Sequence, residues 1–261
     1  VFKIVNKETG EIFAVKESFR CSNDNLSKRN RVKSEVAFLL ELDFPSITKL
    51  VGFSFNNIKN KPKPTFVLEY VSNGSLNEIL EMERKGEKID QWNDTKKLIN
   101  FYGIASGINY LHSYYMMHRD LKPSNVLLDD YLHPKISDFN FSRYKDELYD
   151  ENSYESNKSI PNTPEYIDQI ILNGEPYNNK CDIYSFAMIM YEVLTGEKPF
   201  KDLKNPVDIV NEVTKNNGRP KFNNKVPNCY RFLIERCWHY DTNKRPKAKE
   251  ILEILKTNPE F

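Results

Sequence analysis

A chain of 261 residues is long enough for one large or two small domains, and an aromatic content of 13% excludes a disordered protein. Because 38 Lys and Arg balance 37 Asp and Glu, the net charge of +1 gives no reason to expect nucleic acid or a membrane surface as the main partner. Four dispersed cysteines, with no long apolar run and no signal peptide, predict a cytoplasmic or nuclear protein with reduced thiols and no membrane span in this segment.

Two short alternating runs at the N-terminus, residues 1–5 and 11–16, flank a turn rich in Asn and Gly and predict a β-hairpin. Period-two alternation places Ala14 and Lys16 on one face of the second strand. A small residue beside a cation leaves room for a flat base and supplies a charge for its phosphates. A lysine on a strand is more often simply solvated, so the hairpin alone leaves both interpretations open.

The next stretch predicts more sheet around one helix. An amphipathic pattern favours a helix over 31–42, and Pro45 ends it. Strand-like runs follow at 50–55 and 65–70, with a polar turn at 56–64 between them. The first part of the chain is therefore predicted to be mostly sheet.

Beyond a break at residues 72–75 the pattern is mostly helical. Asn93 or Asp94 can cap a long helix that runs to Tyr115. Further helices are predicted over 181–194, 206–215, 229–239 and 247–256. The first of these four is apolar nearly all round, which places it in the centre of a domain. A small β-rich lobe followed by a larger helical lobe leaves a cleft between them, the usual place for a ligand.

Two motifs carry the strongest functional signal. His118–Asn125 reads HRDLKPSN and resembles the catalytic loop of protein kinases, and Asp138–Asn140 reads DFN and resembles their DFG motif with the glycine replaced. Residues 13–16 are similar to their VAIK strand, and Glu35 precedes Pro45 as the helix glutamate of the family precedes its own turn. These matches, in the family's order, identify the chain as a member of the protein kinases.

The resemblance implies an α+β, bilobal protein-kinase fold over residues 1–261. A small β-rich N-lobe would span 1–70 and a larger α-helical C-lobe 71–261. The match begins beside the family's glycine-rich loop, so we expect an N-terminally truncated domain that lacks this loop and its first strand. A chain without the loop's backbone amides is expected to bind nucleotide weakly.

The implied cofactors are ATP and Mg²⁺. Lys16 would hold the α- and β-phosphates, and Glu35 would pair with Lys16 and orient it. Asp120 would accept or steer the proton of the substrate hydroxyl, and Lys122 would neutralise the moving phosphoryl group. Two side chains would ligate magnesium, and six residues would form the adenine pocket. The metal ligands are Asn125 and Asp138; the adenine residues are Val1, Ala14 and Leu127 around the base, the backbone of Glu69 and Val71 along its edge, and Leu68 as gatekeeper.

The family's control elements also have counterparts here. Arg119, just before the catalytic Asp, and Arg143 would bind a phosphate on Ser159, added by an upstream kinase or by a second copy in trans. Thr163 would contact Asp120 and Lys122. His118 would stack with Leu39, Leu50 and Phe139 in the family's regulatory spine, with Asp182 as its anchor.

Two positions depart from the family pattern. Asn140 replaces the DFG glycine, and asparagine is the non-glycine residue that best tolerates left-handed backbone. The APE motif becomes Asp168-Gln169-Ile170, so Arg245 loses the glutamate that it normally pairs with. Because an unpaired buried guanidinium is costly, we predict that Asp168 pairs with Arg245 instead.

The leading interpretation is a kinase that phosphorylates Ser and Thr hydroxyls of proteins. Lys122, two residues after Asp120, is the serine/threonine-kinase choice, and Asn217–Pro220 and the run at 182–186 resemble the tyrosine-kinase-like group. The alternative is a pseudokinase that acts as a nucleotide-binding or scaffold module, favoured by the altered Asn140 and APE positions. A small-molecule phosphotransferase of the same fold is a third option.

Overall fold

The computed structural model describes residues 1–17, 36, 39–57, 59–139, 142–144, 163–224 and 226–258. Glu35, Asn140 and Ser159 lie outside these residues, and so does most of the predicted helix over 31–42. Val36 and residues 39–41 are helical, as predicted.

The N-terminal part of the chain forms a four-stranded antiparallel sheet in the order β1-β2-β4-β3. Its strands are β1 (Phe2–Val5), β2 (Ile12–Glu17), β3 (Leu50–Asn56) and β4 (Pro62–Glu69). The predicted hairpin is confirmed, since β1 pairs with β2 and the Asn6 N–H donates to the Glu11 carbonyl at 2.8 Å.

The predicted turn over 56–64 is wrong at its C-terminal end, because β4 already begins at Pro62. Proline lacks the N–H that a regular ladder needs, so two prolines argue against a strand. Here Pro62 is the first strand residue, and Pro64 falls in an irregular stretch of the pairing between Ser54 and Asn56. Neither proline therefore removes a regular ladder bond.

The rest of the described chain is mainly helical. The helices are α1 (Leu76–Arg84), α2 (Asp94–Ser113), α3 (Gln169–Leu172), α4 (Lys180–Thr195), α5 (Pro206–Lys215), α6 (Asn228–Cys237) and α7 (Ala248–Thr257). Ser75 and Glu78 form a capping box on α1, and the Asn93 side chain caps α2 as predicted. Gly196 ends α4 in the left-handed conformation that glycine adopts without strain.

Helix α4 is the centre of the helical part. Its residues from Cys181 to Val193 are all buried, which confirms the prediction from its apolar sequence. The three described cysteines, Cys181, Cys229 and Cys237, are free thiols. Among the described helices, none is long and apolar enough to cross a membrane.

Four very short strands hold the loops between the sheet and α4. Strand β5 (Met116–Met117) pairs with β8 (Arg143–Tyr144), and β6 (Val126–Leu128) pairs with β7 (Pro134–Ile136). The Ile47–Ile136 bridge joins β7 to the segment that enters β3. The loops after β5 and β7 carry the two kinase-like motifs, so this scaffold brings them together.

Candidate active site

The loop after β5 is fixed to the first turn of α4 by one carboxylate. The backbone N–H groups of His118 and Arg119 donate to Asp182 at 3.0 and 2.9 Å. Arg119 has φ +68°, which costs a non-glycine residue energy and needs such support. The predicted anchoring of His118 by Asp182 is confirmed.

His112 provides a further contact to this carboxylate, with Nε2 2.9 Å from Asp182 Oδ2. Burial alone would raise the pKa of Asp182, but the hydrogen bonds from His112 and from the Arg119 N–H help to hold this pKa below its usual value. The stability that Asp182 contributes is therefore fully present above about pH 4, where the unfolded carboxyl titrates. It is lost as the pH falls through the lower folded pKa.

The His118 ring connects the two motifs. Its Nε2 lies 2.9 Å from the Ser137 carbonyl, and its Nδ1 accepts the Asp120 N–H at 3.3 Å, so the proton is on Nε2. The ring packs against Phe139 with centroids 5.2 Å apart. Leu39, Leu50 and Phe139 line one cavity. The predicted contact between His118 and Phe139 is therefore confirmed, and the stacking of Leu39 and Leu50 on them stays a prediction.

Two polar side chains of the loop, Lys122 and Asn125, contact Asp120. Lys122 Nζ lies 3.0 Å from the Asp120 carboxylate. The Asn125 side-chain amide donates to both the backbone carbonyl and the carboxylate of Asp120, at 2.7 and 2.8 Å. The carboxylate is thus held by two donors, and because its side chain is still 16% exposed, a hydroxyl group can reach it and give up a proton.

Lys16, on the inner strand β2, and Asp138 form an ion pair of 2.7 Å. Asp138 follows β7 with φ +66°, a backbone conformation that is strained for aspartate. Both line the cavity behind Leu68, the residue opposite Ala14 in the sheet. Lys16, Asp138 and the predicted gatekeeper Leu68 therefore line the same cavity.

The oxygen atoms near Asp138 suit a magnesium ion. Both hydrogens of the Asn125 amide are used by Asp120, which leaves the amide oxygen for another ligand. Ser137, next to Asp138, donates its N–H to the Asn125 carbonyl at 2.8 Å and so joins the two segments. Mg²⁺ prefers oxygen donors and usually takes only one or two protein carboxylates together with phosphates. Asn125 and Asp138 fit this requirement.

The predicted adenine residues surround the end of the sheet. The turn after Val71 is bonded to β6, since Asn73 N–H donates to Leu128 and Leu128 N–H donates to Gly74. A β-bridge between Ser75 and Leu127 places Leu127 beside this turn. In the described part of the chain the Val71 N–H makes no hydrogen bond, as a base-binding donor requires. Glu69 is fixed by Lys135 at 2.9 Å. Val1 is 86% exposed, and its contact with a base stays a prediction.

Of the residues predicted to control activity, the structure describes Arg119, Thr163 and the backbone of Arg143. Arg119 stacks on Tyr177, and Arg143 is paired through its backbone with Met117. Thr163 begins the turn Pro164–Tyr166, and no hydrogen bond joins its side chain to Asp120 or its neighbouring lysine within the described residues. The predicted contact of Thr163 with these residues is therefore not seen as a hydrogen bond.

The predicted substitute for the APE glutamate is confirmed. Asp168 binds both terminal nitrogens of Arg245, with 3.0 Å between Nη2 and Oδ1. Both side chains are almost fully buried, at 1% and 0% exposure. Arg245 also donates to the carbonyls of His239 and Lys180 at 2.7 and 3.1 Å. A bidentate pair with these extra acceptors offsets the desolvation of both charges.

A buried cluster around Glu192 was missed by the sequence analysis. Glu192, inside the apolar helix α4, binds Arg84 of α1 and accepts the Tyr166 hydroxyl at 2.5 Å. Burial raises the pKa of Glu192, and the hydrogen bond from Tyr166 and the charge of Arg84 offset part of this effect. The sequence feature that could have revealed this cluster is Glu192 itself, a carboxylate within an otherwise apolar stretch of the helix. This cluster fixes the turn that follows Thr163.

Tyr166→Phe is expected to lower the free energy of unfolding by about 2 kcal/mol, because it removes a hydrogen bond to a buried carboxylate. Tyr131→Phe, at a side chain that is 70% exposed, makes the same chemical change at the surface and should be nearly neutral. Urea unfolding of both variants checks this. Equal midpoints for the two variants would show that the buried hydroxyl contributes nothing.

Comparison with known proteins agrees with this geometry. The sequence model of the protein kinase domain family matches residues 1–255. A serine/threonine-protein kinase/receptor of Acanthamoeba polyphaga mimivirus, R826, is 34% identical over 86% of this chain and 13% of its own length. A serine/threonine-protein kinase of Dictyostelium discoideum is 34% identical over 96% and 26%, and CTR1 of Arabidopsis thaliana is 33% identical over 87% and 26%. The chain thus spans about a quarter or less of these relatives.

Proposed function

Because the chain belongs to the protein kinase domain family, we propose that it transfers the γ-phosphoryl group of ATP to Ser and Thr hydroxyls of proteins. The observation that carries the proposal is that two clusters of polar side chains are linked, because Ser137, next to Asp138, donates its N–H to the Asn125 carbonyl at 2.8 Å. The two clusters are Lys16 with Asp138, and Asp120 with Lys122 and Asn125. Relatives named serine/threonine-protein kinases and the position of Lys122 support the choice of Ser and Thr.

Each group has a role that its contacts support. Mg-ATP, when bound, supplies the phosphoryl group and a metal that neutralises phosphate charge. Asn125 and Asp138 would hold the metal through oxygen atoms, and Lys16 would exchange Asp138 for phosphate oxygens. Glu35 would orient Lys16 in that state. The adenine would lie between Val1, Ala14 and Leu127.

The substrate hydroxyl would meet Asp120 from the open side of the cleft. Lys122 and Asn125 hold the carboxylate in place, so it can accept the hydroxyl proton without moving. Lys122 is then close enough to compensate charge on the transferred group. The cleft would lie between an N-lobe over 1–70 and a C-lobe over 71–261.

The same residues weigh against the pseudokinase alternative. A scaffold module has no physical reason to keep two lysines, a proton acceptor and two metal ligands in two linked clusters. The names of the relatives also give the pseudokinase alternative no support.

A phosphate on Ser159, added by an upstream kinase or in trans and bound by Arg119 and Arg143, would control the activity.

A test of the proposal follows the phosphate to its acceptor. The chain is incubated with Mg²⁺, a protein substrate such as casein and radiolabelled ATP at millimolar concentration, and the labelled amino acids are separated. We expect label on Ser and Thr, and its loss when EDTA removes the metal. Label on Tyr alone, or equal label with Lys16→Met, would rule the proposal out.

A further inference from the structure

The Arg119 guanidinium is supported by an aromatic ring. Its Cζ lies 4.9 Å from the centroid of the Tyr177 ring, inside the range of about 6 Å in which a cation is attracted to an aromatic face. No carboxylate pairs with the Arg119 side chain within the described residues. Tyr177 lies just before α4, and Asp182, which holds the Arg119 N–H, lies on the first turn of α4. One short segment therefore fixes both the backbone and the side chain of Arg119.

The Arg119 side chain still has an unused donor. Its Nε is buried and has no hydrogen-bond acceptor in the described part of the chain. A buried donor without an acceptor costs free energy, so native structures rarely keep one unless a ligand completes it. A guanidinium held over a ring by its Cζ can still donate from its N–H groups, and these match the oxygens of a phosphate. The contact with the Tyr177 ring and the unused Nε–H donor together indicate a site that an anion would complete.

We propose that Tyr177 is a positioning residue that holds the Arg119 guanidinium with its N–H edge toward a phosphate group. The ligand chemistry is that of a phosphate monoester on this chain or of free inorganic phosphate. This role for Tyr177 would affect kinase activity only if phosphorylation controls the enzyme, as proposed above. It assigns the aromatic ring the part that a carboxylate would otherwise have, without a negative charge that would repel the phosphate.

The ring and the hydroxyl of Tyr177 can be separated by substitution. Tyr177→Phe keeps the aromatic face, whereas Tyr177→Leu removes it and keeps much of the volume; Tyr177→Met replaces the leucine variant if that variant does not fold. The Nε–H signal of Arg119, assigned by its loss in Arg119→Lys, is followed by NMR in the phosphatase-treated chain. A proton over a ring face is shifted upfield by the ring current, which makes the signal a direct reporter of stacking.

We expect the upfield shift in the wild type and in Tyr177→Phe and its loss in Tyr177→Leu. Titration with inorganic phosphate should move the signal in the wild type, and Tyr177→Leu should weaken this binding roughly fivefold, as the loss of one cation–π contact predicts. In the phosphorylated chain, a signal that has already moved and no longer responds to added phosphate identifies a phosphorylated side chain as the ligand. A signal that still responds identifies free phosphate.

The activity readout is the ratio of kcat between the phosphorylated and the phosphatase-treated chain. This ratio should fall roughly fivefold in Tyr177→Leu, stay near the wild-type value in Tyr177→Phe, and show no further loss from Tyr177→Leu when Arg119 is already Lys. Loss in Tyr177→Phe equal to that in Tyr177→Leu, or an unchanged Arg119 signal in Tyr177→Leu, overturns the inference. A wild type without kinase activity contradicts the proposed function but leaves the NMR result decisive for Tyr177.

Discussion

Asp120→Asn is expected to lower kcat by roughly a hundredfold to ten-thousandfold, the contribution of a positioned general base. The substitution replaces the carboxylate that is proposed to accept the hydroxyl proton by a neutral amide, and it leaves Lys122 without its anionic partner at 3.0 Å. The fold should be kept, because the Asp120 carbonyl still accepts the Asn125 amide and the His118 ring still accepts the backbone N–H. Steady-state phosphorylation of casein at saturating Mg-ATP measures the effect.

Asp202→Asn is the matched control, since it removes the same charge from an exposed residue of the helical part. Its kcat should stay within about twofold of the wild type, as for most surface changes away from a site. The KM for ATP of Asp120→Asn should change little, because the residue acts on the hydroxyl and not on the nucleotide. Equal kcat in Asp120→Asn and wild type would show that this carboxylate is not the catalytic group.

Asp168→Asn is expected to lower the free energy of unfolding by about 3 kcal/mol, the range for removing one partner of a buried ion pair. The cost arises because Arg245, fully buried, keeps its charge and loses its only acidic partner among the described residues. The asparagine keeps the volume and one acceptor, so the change is electrostatic and leaves no cavity. Urea unfolding followed by circular dichroism gives the difference.

Glu197→Gln serves as the control for this second prediction. It neutralises a carboxylate in the ion pair with Lys201, whose partners are 32% and 51% exposed. Exposed pairs of this kind contribute at most about 1 kcal/mol, so the unfolding midpoint should barely move. A drop in Asp168→Asn no larger than in Glu197→Gln would mean that the buried pair does not replace the missing glutamate.

Local sequence patterns predicted the elements of the fold where one force dominates. The apolar sequence of α4 could only be satisfied in a core, and Asn93 had a clear capping role. The start of β4 was missed because prolines usually exclude a strand, and only the bulged pairing with β3 makes Pro62 and Pro64 acceptable. That pairing involves residues far apart in the chain, which local pattern does not reveal.

The candidate site was predictable where spacing and energetic cost agreed. Asp168 was found because Arg245 needed a carboxylate and the altered APE motif offered one nearby. Tyr177 and Glu192 were not found, because their partners, Arg119 and Arg84, lie far away in the chain, in the second case by 108 residues. Each contact depends on how distant segments pack around α4. Physical chemistry identifies the need for a partner more readily than it identifies which residue supplies it.

The central claim is that Mg-ATP binds between Lys16 and the oxygen atoms of Asn125 and Asp138. A crystal structure of the chain with Mg²⁺ and a non-hydrolysable ATP analogue tests it most directly. We predict a metal ion about 2.1 Å from the Asn125 amide oxygen and from the Asp138 carboxylate. Lys16 Nζ should leave its 2.7 Å contact with Asp138 for the α- and β-phosphates. A nucleotide bound elsewhere, or a metal held by neither side chain, would contradict the account.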